Sequence, residues 1–440
     1  MSINKNDPKV IEKSLNKLFS PEWILSMAKE TGFIIRSRKI DPVIFFWTLI
    51  FGFGVSMQQS LAKLRRAYET ASASSLVPSA FYDRFTPALV TLLKVAVSHA
   101  LSQQIAEPTR AMVEKLKGFS DIVAADGTIL RLHEKLAMQW PACRTNHTKA
   151  AVKIHVVASA LTAGPRHVAL YSERTAEVKT MVIGDWVKDK ILLMDLGFFK
   201  YNLFSRIQEH GGYFVSRLKD NANPLIVSTL RKCRGNSINL DGKRLRSLQE
   251  SLKREVIDAE VEVAFRVPNT NGKSKTSLKT EAFRLVGVIN KDTGEYHFYL
   301  TNIPAERLVA EDIAIMYRAR WTIELLFKEL KSGYALNQIS SANPLVMEAL
   351  ILTAILTLIV SRKILSILQL ACPEKVSRMT TLRWANVFAV GAYKTLERVL
   401  DDAGRDSDAF GLFEFYQAEV LDPNVSRERL MDPWTTYKPI

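Results

Sequence analysis

Residues 191–194 are four consecutive apolar side chains that run straight into Asp195 and a Leu196-Gly197 turn. A short unbroken apolar run of this kind reads as a buried strand, and its end is marked by a carboxylate. Its neighbours set the frame. Residues 122–125 and 128–132 flank Asp126, residues 152–160 and 167–171 read as two further strands, and 176–187 reads as a helix. Beyond Asp195, residues 202–210 have helical periodicity and 213–218 the pattern of another strand. Three early strands followed by helix, strand, helix and strand call for an α/β layer. Asp126 and Asp195 both stand where an apolar β-run gives way to turn residues.

The order of these elements is that of a ribonuclease-H-like layer. Residues 1–117 read as helical throughout (8–18, 21–30, 43–51, 56–70, 78–85 and 87–105), with Ser or Pro at several starts, where a cap belongs. Within them, 58–70, a Ser/Ala turn and 77–86 have the length and punctuation of a helix-turn-helix, for which Lys63, Arg65, Arg66 and Arg84 would supply phosphate contacts. A helical bundle with solvated arginines is the alternative. Residues 219–280 lose helical pattern and gain charge, with thirteen Lys or Arg against seven Asp or Glu. Residues 256–267 alternate, Asn269-Thr270-Asn271-Gly272 offers turn chemistry, and strands at 283–289 and 296–300 bracket an Asp292-Thr293-Gly294 turn. A long helix is expected over about 306–332, and 344–370, 381–402 and 410–421 are again helical in pattern. The expected fold is therefore α/β, with a ribonuclease-H-like core (118–218 and 304–370) interrupted by a β-rich basic insertion (219–303). Helical regions at 1–117 and 371–440 flank it.

Composition narrows the function. The 440 residues carry 60 Lys and Arg against 45 Asp and Glu, yet 47% are hydrophobic, so the excess charge sits on a folded body. A basic protein of this kind most often meets a polyanion, and the commonest is nucleic acid. Cys143, Cys233 and Cys372 are far apart with no CxxC spacing and read as ordinary thiols in a reducing compartment. The first nine residues hold no apolar h-region, which argues for a cytoplasmic product. The densely apolar parts of 42–62 and 349–360 fall short of the roughly 20 residues a bilayer needs, so both read as buried helices; a membrane-attached protein would rest on the first alone.

The richest stretch is YRARWTIELLFKELK, residues 317–331. On one continuous helix, Tyr317, Arg320, Glu324 and Lys331 would share an arc of about 60°, with about 16 Å of axis between Arg320 and Lys331. A lone acid between two cations is ordinarily a surface salt-bridge ladder. Asp126 and Asp195 change that reading, because strand-end carboxylates on adjacent strands can converge with Glu324. Such a cluster needs cations, and hard oxygen ligands suit two Mg²⁺ or Mn²⁺ ions better than zinc. Two such metals serve in-line phosphodiester displacement, with Arg320 and Lys331 left to hold phosphates. None of the seven histidines has HExxH spacing.

Here the sequence resembles the DDE transposases of bacterial insertion sequences, specifically insertion sequence family four, marked by Y-x2-R-x3-E-x6-K. Tyr317, Arg320, Glu324 and Lys331 fit that signature at every spacing, and Asp126 in DGT and Asp195 in DLGFF look like the first and second catalytic aspartates. The resemblance implies metal binding by Asp126, Asp195 and Glu324, and contacts from Tyr317, Arg320 and Lys331 to phosphates and sugar near the cleaved end. It also implies an N-terminal region that binds double-stranded DNA, C-terminal helices that support a homodimer, and cut-and-paste transposition at the bacterial nucleoid. Some members steady a flipped base with a tryptophan in the insertion; residues 219–300 contain none. Phe265, Phe283 and Tyr296 read there as core strand residues, and Trp321 as packing. Two other readings stay open: a catalytically silent DNA-binding descendant acting as a repressor, and a non-mobile nuclease with the same core.

Overall fold

The computed structural model describes residues 9–34, 40–53, 60–72, 76–104, 110–143, 148–231, 240–248, 252–268, 276–334, 336–400 and 433–437. The helix expected at 410–421, the turn at 269–272 and Cys233 lie outside them. Six helices come first: α1 (Val10–Leu18), α2 (Pro21–Glu30), α3 (Pro42–Thr48), α4 (Leu61–Ser72), α5 (Pro78–Tyr82) and α6 (Pro87–Gln104). Their starts follow local chemistry. Ser20 accepts from the Trp23 N–H, and Asp41 Oδ1 accepts from Val43 and Ile44 ahead of a first-turn proline.

A small strand β1 (Arg110–Met112) precedes β2 (Asp121–Leu132), the strand on which the main sheet is built. On one side β3 (Ala150–Ser159) and β4 (Gly164–Ser172) return antiparallel; on the other, β5 (Lys190–Met194) and β6 (Tyr213–Arg217) run parallel to β2. The strands of the basic region, β7 (Leu225–Thr229), β8 (Val256–Pro268), β9 (Thr276–Ile289) and β10 (Tyr296–Thr301), extend the same sheet, with β10 antiparallel to β6. The order across nine strands is β4-β3-β2-β5-β6-β10-β9-β8-β7. β1 pairs separately with β11 (Thr435–Tyr437).

Because successive strand residues face opposite ways, β2 feeds two cores. Ile122 and Ala124 join an apolar cluster with the N-terminal helices, α11 (Pro344–Ala371) and α12 (Thr381–Leu400). Val123 and Ala125 join a second cluster with Phe198, Phe204 of α8 (Tyr201–Glu209) and Phe214. The 28-residue α11 contains an 18-residue window with a mean hydropathy of 2.2 and is long and apolar enough to cross a membrane, but 83% of that window is buried inside the protein. Its Thr357 hydroxyl donates to the Ile50 carbonyl in the π turn Leu49–Phe53, tying the first apolar run to the same core.

Two expected helices differ. The segment 176–187 forms only α7 (Glu177–Thr180) and a 3₁₀ turn, Asp185–Val187. Between them Met181 and Ile183 are buried while Val182 is 70% exposed, an alternation that favours extended backbone over helix. The expected long helix breaks into α9 (Ala310–Arg318), α10 (Trp321–Lys328) and a π turn, Glu329–Gly333. At the break the Ala319 and Arg320 N–H groups bond three residues back, to Met316 and Tyr317. The π turn swings Glu329 inward, where Arg362 and the Tyr334 hydroxyl hold its buried carboxylate.

Candidate active site

The parallel register aligns Ala125 with Met194. The next residue in each case is an aspartate, so Asp126 and Asp195 stand at neighbouring positions; Asp195 follows the end of β5, whereas Asp126 lies within β2, whose pairing with β3 runs on to Leu132 instead of stopping at the expected turn. The Gly127 N–H donates to Asp126 Oδ1 at 2.7 Å. Burial pushes the Asp126 carboxyl up to about 6 against the pull of that N–H, and the Asp195 charge adds to the rise. Arg320 opposes it and Glu177 adds a further negative charge. Asp126 is thus a half-buried acid among like charges, with one arginine to offset them.

Arg320 is the hub. Its guanidinium donates to Glu324 Oε1 at 2.6 Å, an i,i+4 ion pair, and lies 5.9 Å from the centre of the Tyr317 ring. Burial works against its charge, yet the Glu324 carboxylate, Tyr317 and Asp195 together hold its pKa above the usual value. Burial likewise pushes the Tyr317 hydroxyl up to about 12, with Arg320 lowering and Asp195 raising it. Tyr317 is set by α9 and packs on Tyr299, ring centres 5.3 Å apart. Asp126, Asp195, Tyr317, Arg320 and Glu324 therefore form one electrostatic neighbourhood, although the helix that carries the last three is broken.

Lys331 departs from the single-face arrangement. It lies in the π turn, beyond the end of α10, half-buried, and is not among the main charges acting on Asp126, Tyr317 or Arg320. Trp321 is also not packing: it is 47% exposed. Phe283 is a core residue set edge-on to Phe214, while Phe265 and Tyr296 are partly buried, against Tyr201 and Phe298. Of the four cations placed on the helix-turn-helix, Arg65 is engaged internally, donating to Glu69 and to the Leu76 carbonyl. Arg84 bonds the Ala80 carbonyl through Nε but remains exposed, as does Arg66, and Lys63 is half-buried. The helix that follows the turn, α5, has five residues.

One acid escaped the sequence reading. Glu177 opens α7, and its carboxylate fills the space beside Gly197: a Cβ at that glycine would come within 1.5 Å of Glu177 Oε2. The only trace in the sequence is the glycine two positions after Asp195.

Among the described residues no group of three or more His, Cys, Asp or Glu side chains is arranged to hold a metal ion. The donor chemistry nonetheless fits a hard cation. Asp126 and Asp195 are paired oxygen ligands whose mutual repulsion a cation would relieve, and the third acid, Glu324, is held one ion pair away by Arg320.

A mixed sheet with one aspartate within β2 and a second just past the end of the adjacent parallel strand β5 defines an α/β protein with a carboxylate site. Residues 117–360 match the family described as "Transposase DDE domain", more than half of the chain, and the protein belongs to that family. Membership makes it a DNA transposase and implies dependence on a divalent metal. Over 361 residues it is 23% identical to the transposase for insertion sequence element IS1151 of Clostridium perfringens, covering 75% of each chain. Over 356 residues it is 23% identical to the transposase for insertion sequence element IS231F of Bacillus thuringiensis subsp. israelensis, covering 73% of this chain and 72% of that one. A shorter stretch of 86 residues is 37% identical to the putative transposase InsL for IS186A of Escherichia coli (strain K12), covering 19% and 23%. The cryo-EM structure of the piggyBac transposase synaptic complex with hairpin DNA aligns over 96% of this chain and 87% of that one, at 12% identity and a TM-score of 0.48.

Proposed function

We propose that the protein is a cut-and-paste transposase that binds the ends of an insertion sequence and uses Asp126, Asp195 and Glu324 as its catalytic acids. The signature Tyr317, Arg320, Glu324, Lys331 assigns it to insertion sequence family four, and the ribonuclease-H-like order of β4-β3-β2-β5-β6 is the frame of the site. The observation that carries this reading is the register of Ala125 with Met194, together with the Arg320–Glu324 ion pair beside the two aspartates. The three acids would hold two Mg²⁺ or Mn²⁺ ions. When bound, these would activate water and neutralise charge on the leaving oxygen.

The chain's own residues do the rest. Arg320 pairs with Glu324 and acts on Asp126, and a DNA phosphate bound there would compete for it with Glu324, freeing that carboxylate to join the aspartates. Tyr317 stays protonated across the physiological range and can donate to a phosphate oxygen. Lys331, together with Lys63, Arg66 and Arg84, would neutralise DNA backbone away from the acids, whereas Arg65 would act mainly by fixing the turn between α4 and α5. In the first step the water oxygen bonds to phosphorus and the 3′-oxygen leaves with a proton. In the second, the oxygen of that 3′-hydroxyl bonds to the phosphorus of a target phosphodiester as the target's 3′-oxygen leaves, the hydroxyl proton passing to it. A homodimer at the nucleoid, with residues 1–117 recognising DNA and 371–440 supporting assembly, completes the proposal.

The test uses purified full-length protein with oligonucleotides carrying the element's terminal inverted repeats. Asp126→Asn, Asp195→Asn and Glu324→Gln should each abolish Mg²⁺-dependent strand transfer while leaving end binding within a few-fold of wild type. Normal transfer by any of the three removes that residue from the acid set.

A further inference from the structure

On the sheet face opposite α10, a cavity of about 760 Å³ opens between β2, β3, β4 and the segment that follows α7. That volume is in the range of small-molecule sites. Much of its wall is apolar, including Val123, Val157, Ala169 and Met181, and Trp186 and Val182 stand partly exposed along its lining. Its polar groups, the exposed His167 apart, are already engaged. Asp121 accepts from the Ser159 hydroxyl and the Ile122 N–H and pairs with Arg166; the Trp186 indole N–H donates to the Val182 carbonyl; Lys190 donates to the Trp186 carbonyl; and the Thr180 hydroxyl donates to the Glu177 carbonyl.

Among the buried polar side chains of the lining, His155 is the exception. It lines the cavity from β3, it is 1% exposed, and neither of its ring nitrogens has a hydrogen-bond partner among the described residues. Burial pushes its imidazole down to about 4, with the charges of His167 and Lys153 adding to the fall, so it is neutral at physiological pH. A buried imidazole with no partner costs free energy, about 1–3 kcal/mol for each unsatisfied group, unless something in the cavity meets it. Rings surround it: His167, Tyr171 and Phe198 have centres 6.3, 6.4 and 5.8 Å away.

We propose that this cavity is a binding site for an uncharged heteroaromatic molecule of bicyclic size, recognised by one hydrogen bond to His155 and by apolar contact with the surrounding walls. A neutral imidazole can donate or accept according to tautomer, so the ligand needs a single polar ring atom of either kind. The absence of an unengaged charge on the walls selects against ionic ligands. The site lies on the sheet face away from α10, and its test does not depend on transposition.

The probes are indole and indene, bicycles of matching shape with and without a ring N–H, titrated into the full-length protein by calorimetry and, with ¹⁵N-labelled histidine, by NMR. Indole should saturate one site, shift the ring nitrogens of His155 among the seven histidines, and bind at least tenfold more tightly than indene. His155→Leu should bind both probes with equal affinity. Equal affinity of the two probes for wild type, no saturable indole binding up to its solubility limit, or shifts at other histidine rings with His155 unmoved would each overturn the proposal. If His155→Leu does not fold, the wild-type comparison and the NMR titration decide the matter alone.

Discussion

Asp126→Asn should make the protein more stable while removing its chemistry. The asparagine oxygen can still accept the Gly127 N–H that now reaches Asp126 Oδ1 at 2.7 Å, so the substitution changes charge with little change in shape. In the folded chain the Asp126 carboxyl is raised from an ordinary value of 3.8 to about 6, by burial first and then by the Asp195 charge. Below about pH 4 both folded and unfolded chains carry the proton, and Asp126 contributes no pH-dependent difference. Between pH 4 and 6 the folded chain retains a proton that the unfolded chain has released, so stability falls as pH rises. Above pH 6 the loss is complete. At 1.36 kcal/mol per pH unit it amounts to about 3 kcal/mol at most. The assay is thermal unfolding of wild type and Asp126→Asn side by side from pH 4 to 8, without divalent metal. The two should melt together at pH 4 and separate by about 6 °C at pH 7.5, the variant higher, taking roughly 2 °C per kcal/mol for a large domain. Mg²⁺ should then raise wild type more than the variant. A variant that is equal or less stable at pH 7.5, or a gap that does not change with pH, would refute the view of Asp126 as an acid held against its own charge.

Other outcomes follow from single contacts. Arg284 is 5% exposed, grips Asp258 through two bonds of 2.8 and 2.6 Å, and donates to the Ile303 and Leu308 carbonyls that lead into α9. Asp258→Ala, which strands that buried guanidinium, should lower the unfolding free energy in urea by about 3–5 kcal/mol. Gly197→Ala places a methyl where Glu177 Oε2 now lies, and because a side-chain tip can rotate away, the thermal midpoint should barely move while strand cleavage falls at least tenfold. Arg320→Ala should flatten the salt dependence of end binding by about one phosphate's worth, read from log Kd against log salt, and an unaltered slope would return Arg320 to a purely structural ion pair. Lys331→Ala in the same assay decides whether the π turn reaches the DNA.

Much of the site's scaffold was legible, and the reasons differ by element. The buried strand ending at Asp195 announces itself because β5 is enclosed on both faces and so needs no polar alternation. Asp126 was legible for a related reason: β2 alternates between two cores up to Ala125 and then changes character. The break at Ala319 was not legible, since Ala319 and Arg320 are both good helix formers and nothing in their local sequence marks the switch to bonds three residues back. That break, with the π turn at Glu329, is also why an even 100° per residue misplaced Lys331 and Trp321. Edge pairing leaves no periodic mark, so nothing in the alternation of residues 256–267 could say that β8 would extend the main sheet through β9 and β10. Glu177 was invisible because its relation to Gly197 is a contact across two loops rather than a spacing.

The central claim is that Asp126, Asp195 and Glu324 come together around divalent metal once DNA engages Arg320. Replacing Mg²⁺ by Fe²⁺ in the complex with end DNA, and mapping the backbone cuts made by metal-generated radicals in the presence of ascorbate, locates the ion directly. The account predicts cuts clustered near residues 126, 195 and 324, suppressed by excess Mg²⁺. Cuts near the two aspartates that never include the region of residue 324, with or without DNA, would contradict it.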